Sequence, residues 1–82
     1  MIRIKLSRVL GERRWTQADL ARATGVRPTT INDYYHEMAD RINLEHFDLF
    51  CEALGCDLSE LIVYVPNQEP RVKHDRAGNK KL

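Results

Sequence analysis

The chain has 82 residues, 43% of them hydrophobic and 30% charged, with a net charge of +1. That length supplies one compact core and no second domain, and an elaborate catalytic cleft would compete with the core for the same apolar residues. The near-zero total conceals a division: residues 1–30 hold seven basic against two acidic residues, net +5, whereas residues 31–65 hold Arg41 against eight acids, net −7. Such asymmetry predicts a molecule with a cationic and an anionic side. Two cysteines, Cys51 and Cys56, are too few for a disulfide framework, and the chain opens on no charged-then-apolar leader, so a reduced, cytoplasmic protein is expected. No apolar run approaches the ~20 residues that cross a bilayer.

Ile2, Leu6, Val9 and Leu10 recur at helical spacing and predict helix 1 over about residues 3–13. Thr16 with Asp19 forms a capping-box pair, so helix 2 begins at Gln17 and runs to about residue 24, where Gly25 closes it. Pro28 suits the first turn of helix 3, expected over 28–37. The polar stretch 37–42 reads as a loop. Asn43 caps helix 4, whose stripe is Leu44, Phe47, Phe50, Cys51 and Leu54, with Glu45, Asp48 and Glu52 outward. Gly55 ends it, and Asp57 with Glu60 opens a short helix 5 through Leu58, Leu61 and Ile62. Leu61–Val65 is β-branched and aromatic enough for its last part to be extended, and Pro66 stops it. A folded unit is therefore expected over 1–66. Residues 67–82, net +3 and without periodicity, are expected to be a flexible basic tail.

Two short helices joined by a glycine turn make a helix-turn-helix. Ala21 is the small residue where the second helix must cross the first, Gly25 makes the turn, and Leu20, Val26, Ile31 and Tyr34 face inward. With Thr16-Gln17, Leu20-Ala21, Thr24-Gly25-Val26, Thr29-Thr30-Ile31 and Leu54-Gly55-Cys56-Asp57-Leu58, the sequence over about 4–66 resembles the phage Cro and lambda-repressor type of helix-turn-helix regulators. The run Asp57 to Pro66 is similar to the ends of the small stand-alone regulators of bacteria and mobile elements. The resemblance implies an all-α, five-helix lambda-repressor-like domain with helix 3 in the major groove of duplex DNA and the start of helix 2 against the phosphate backbone.

Helical geometry assigns the faces independently. With Ile31 and Tyr34 inward, Thr29, Asn32, Asp33 and His36 lie opposite and Thr30 at the edge; these five are the base-reading candidates. Asn32 has the groups to pair with adenine, the threonines to meet either base type or a thymine methyl, and Asp33 to accept from cytosine N4. Gln17 matches the family glutamine set beside a phosphate, and Arg13, Arg14, Arg27 and Pro28 complete the phosphate-contacting set. Two departures from the family pattern stand out: an acid at Asp33, and a loop Glu37-Met38-Ala39-Asp40 with acids in place of the usual glycine.

Other constellations carry less. Cys51, Cys56 and His46 lack metal-site spacing and read as packing, so no metal and no cofactor is expected. His36, His46 and His74 have no nucleophile or orienting acid at triad-like placement, so an enzyme is not expected. Trp15 is assigned to the core. The sequence reads as a transcriptional regulator, in the first instance a repressor, binding a palindrome as a homodimer through helix 5, Leu61–Val65 and Ile2–Leu6. The rival is an antitoxin-like or accessory module that uses the acidic 31–65 region on a protein partner.

Overall fold

The structure, a computed structural model, describes residues 1–72; the expectation of a flexible tail falls mostly on 73–82, outside the described residues. Seven elements follow in order: β1 (Ile2–Ile4), α1 (Leu6–Arg13), α2 (Gln17–Thr24), α3 (Pro28–Tyr35), α4 (Leu44–Leu54), α5 (Leu58–Leu61) and β2 (Ile62–Tyr64).

The five helices stand as expected, but the chain is not all-α. Residues 3 and 4, assigned to helix 1, form a strand with Ile2 instead, antiparallel to β2 with Ile2 opposite Tyr64, Arg3 opposite Val63 and Ile4 opposite Ile62. Period-2 alternation of β-branched residues decides this: Ile4 goes into the core and Arg3 turns out, and the β-rich 62–64 run supplies the partner. Helix α1 starts only at Leu6, after the Lys5 N–H is taken by the Leu61 carbonyl at 2.6 Å.

Helix ends follow local chemistry. At α2 the Thr16 hydroxyl accepts from the Asp19 N–H at 3.0 Å, and the Asp19 carboxylate accepts from the Thr16 N–H at 2.8 Å. The Thr16 N–H, then the Thr16 side chain and the neighbouring Arg22, hold the Asp19 carboxyl below its ordinary range. Gly25, at φ 78°, closes α2 by donating to the Ala21 carbonyl. Asn43 caps α4 by accepting from the Glu45 N–H at 2.8 Å. At α5 the Glu60 carboxylate takes the Asp57 N–H at 3.1 Å.

One core joins all the elements. Leu6, Val9 and Leu10 of α1, Leu20 of α2, Ile31 and Tyr34 of α3, Phe47, Phe50 and Leu54 of α4 and Leu61 of α5 are buried, with Ile4 and Val26 closing the edges. Tyr34 meets Phe47 and Phe50 edge-on, with centroids 5.0 and 5.9 Å away. Trp15, Ala21, Cys51 and Cys56 pack against this core half-buried. Burial pushes the Cys56 thiol up, away from the thiolate form. Leu44, assigned to the buried stripe of α4, is instead 77% exposed, because it occupies the first turn and projects past the aromatic cluster.

Candidate nucleic-acid interface

Helix α3 is fixed from beneath. Ile31 is wholly buried, and the Tyr34 ring is inserted between α3 and α4. The Tyr34 hydroxyl reaches the start of α4, accepting from the Asn43 N–H at 3.2 Å and lying 2.9 Å from His46 Nδ1. One aromatic side chain therefore sets both the depth of α3 and the start of the next helix.

That anchoring leaves one ridge of α3 in solvent. Thr29, Asp33 and His36 are exposed at i, i+4 and i+7, and Asn32 lies half-buried beside them. The His36 ring packs edge-on against Tyr35, centroids 5.0 Å apart, which restrains its orientation. Thr30 is set apart from the other four. It lines a shallow depression with Thr24, Arg27, Asn43 and His46, between the α2–α3 turn and the start of α4.

The phosphate candidates divide similarly. Gln17 is the first residue of α2 and half-buried; Arg27 and Pro28 are exposed at the start of α3; Arg14 is exposed at the end of α1. Neither Arg14 nor Arg27 has an ion-pair partner among the described residues. Arg13 is differently placed. Its Nε donates to the Leu54 carbonyl at 2.7 Å, and its guanidinium lies 3.9 Å from Glu60, so it ties the end of α1 to the end of α4.

Sequence reasoning missed the clamp at the far end of α3. The Met38 N–H bonds the Asp33 carbonyl at 2.8 Å and the Glu37 N–H the Tyr34 carbonyl at 3.1 Å, a helix ending that puts Glu37 in the left-handed region at φ 57°. The Glu37 carboxylate is then held by Arg3 through two bonds of 2.7 and 2.8 Å and by the Ile4 N–H at 3.1 Å. Arg3, and then the Ile4 amide, bring the Glu37 carboxyl down to about 2. The missing glycine in this loop was the available signal. A non-glycine residue at such a position needs a compensating contact, and the sequence does not say that it lies 34 residues back, at Arg3.

This arrangement is an exposed polar helix ridge, an adjoining helix start and two unpaired arginines on a rigid base. Comparison with known proteins agrees with it. The sequence profile of the Cro/C1-type HTH DNA-binding domain matches residues 5–67. A crystal structure from Bacteroides fragilis, described as that of a candidate DNA-binding protein, is similar with a TM-score of 0.69 and 25% identity, over 77% of this chain and 100% of that one. No curated protein matches.

Proposed function

Because the chain belongs to the Cro/C1-type helix-turn-helix DNA-binding family, we propose that it is a sequence-specific transcriptional repressor that reads the major groove of duplex DNA with the ridge Thr29, Asn32, Asp33 and His36. The observation that carries this is the division of α3 into a fully anchored inner face, Ile31 and Tyr34, and a polar outer face whose side chains make no hydrogen bond among the described residues. A major groove about 12 Å wide accepts such a helix, and base edges supply the missing partners. Thr30 and Arg27, on the flank of the helix, approach the sugar-phosphate wall. The start of α2 at Gln17 presents backbone N–H groups to a phosphate, which fixes register and carries no sequence information. Arg14 and Arg27 neutralise phosphates on either side.

Asp33 gives this ridge its selectivity. A carboxylate is repelled by the phosphate walls and by the acceptor edges of guanine and thymine, and accepts from the amino groups of the base edges, cytosine N4 above all. Sites that present no amino group there are therefore rejected as well as unrewarded.

Selection of bound sequences from random duplex DNA, followed by gel shifts on the winner, tests the assignment. Asn32→Ala should lose about 1–3 kcal/mol of discrimination at one base pair. Gln17→Ala should weaken all sequences alike. If the two variants bound selected and scrambled DNA as the parent does, α3 would not be the reading helix. Repression itself is read from a reporter carrying the selected site across its promoter; activation of that reporter would refute it.

A further inference from the structure

We propose that Cys51 and Cys56 form a reversible modification site, at which a low-molecular-weight disulfide such as oxidised glutathione closes an intrachain disulfide across the end of α4. The proposal goes beyond the DNA-binding reading and rests on no part of it.

The pair is made by the way α4 ends. On a continuous helix, residues five apart point about 140° away from each other, which is why spacing alone reads these cysteines as separate packing residues. Gly55, at φ 62°, turns the chain back instead, and the N–H groups of Gly55 and Cys56 both reach the Cys51 carbonyl, the second at 3.2 Å. Such a closure sets the side chain three places before the cap against the side chain just past the glycine, two positions that commonly carry an apolar pair in contact. Here both are cysteine, and both pack half-buried against the core. A carbonyl and an amide bonded at that length hold their own α-carbons about 5–6.5 Å apart. A disulfide spans about 4.4–6.8 Å between α-carbons, so the backbone already stands where the bridge needs it. The thiols act on each other as well: burial, then the neighbouring Cys51, then Glu60 push the Cys56 thiol up, with Arg13 opposing.

Access separates the two sulfurs. Cys51 borders an open apolar groove with Leu44, Phe47, Leu58 and Ile62, through which a small disulfide reaches it from solvent. Cys56 is held in its thiol form, and the thiolate is the attacking species, so Cys51 reacts first. The Cys51 thiolate attacks one sulfur of oxidised glutathione, the S–S bond breaks, and one glutathione leaves as a thiolate that takes up the proton Cys51 has lost. Cys56 then gives its proton to water, attacks the Cys51 sulfur of the mixed disulfide and releases the second glutathione. The two cysteines lose two electrons and two protons, and oxidised glutathione gains them as two thiols. Excess reduced glutathione runs the exchange backward. Arg13 Nε stays on the Leu54 carbonyl and the Glu60 carboxylate on the Asp57 N–H throughout, since neither bond uses a thiol.

The full chain, equilibrated in glutathione buffers of graded ratio, quenched with acid and weighed by mass spectrometry, should yield a species lighter by two hydrogens. Cleavage after Glu52, which lies between the two cysteines, should leave the fragments of that species joined until a reductant is added. Cys51→Ser and Cys56→Ser, each folded by circular dichroism, should lose the bridged species and stop at one glutathione adduct. Because the fold already holds the pair together, the ratio of bridged to reduced chain should be at least about tenfold higher in the folded chain than in urea at the same buffer ratio. Two free thiols or two glutathione adducts in the folded chain, under buffers that bridge the unfolded one, would overturn the proposal. So would a disulfide between chains in place of one within the chain, or a folded chain that bridges no better than the unfolded one.

Discussion

A glutamate at φ 57° carries about 1–2 kcal/mol of backbone strain that a glycine would not, so Glu37 must return something at the end of α3. Its carboxylate gathers Arg3 and the Ile4 N–H, and so fastens the last turn of α3 to the first strand. The folded carboxyl, brought from an ordinary 4.5 to about 2, binds a proton less readily than the unfolded one. Its contribution to stability is then fully present above pH 4.5 and fades as pH falls toward 2. Denaturant unfolding of the parent and of Glu37→Gln should therefore converge as pH is lowered through that window. A constant gap between the two curves would mean that the charge of Glu37 plays no part. Position and partner together make this residue, and only its oddity was visible in sequence.

Among the elements, α2 and α4 were the most readable, because each announces both ends locally: Thr16 with Asp19 and then Gly25, Asn43 and then Gly55. Thr16→Ala should cost about 1 kcal/mol in denaturant unfolding, and Gly25→Ala about 1–2 kcal/mol from left-handed strain. A neutral result at either position would show that the cap contributes nothing beyond helix propensity. Less readable was the first strand. Ile2, Leu6, Val9 and Leu10 fit helical spacing, but Ile2 and Ile4 also fit a strand, and a distant partner at Ile62–Tyr64 decides between them. The same limit applies to the site. Spacing gave the ridge of α3 by geometry, since Ile31 and Tyr34 fix it, yet it could not show that Arg13 is bound to the Leu54 carbonyl or that Thr30 faces the depression beside α4. Local signals end where contacts between remote segments begin.

At the scale of the molecule, the arginines near the candidate interface divide by partner. Among the described residues Arg22 is paired with Asp19, Arg8 with Glu12, Arg3 with Glu37 and Arg13 with Glu60, so Arg14 and Arg27 stand as the unpaired arginines flanking α2 and α3. Two phosphates neutralised per copy predict a log–log salt slope of about −2 for each half-site. A slope near −5 in a salt titration would show that the paired arginines let go of their partners and join the interface. The ribbon of β1 and β2 has a further consequence, in time rather than in space. Its two strands stand far apart in sequence, 62 residues for Ile2 against Tyr64 at the widest, whereas the α2–α3 turn closes over a few residues, and long loops close later than short ones. The helical core is therefore expected to assemble first and the ribbon to seal it last, with the Arg3 to Glu37 fastening among the final contacts made. Native-state hydrogen exchange should find the Arg3 and Val63 amides opening well before those of Phe50 and Leu54. Under the proposed DNA-reading role, a helix α3 that is held by the last segment to arrive reads its site faithfully only once the whole chain has closed.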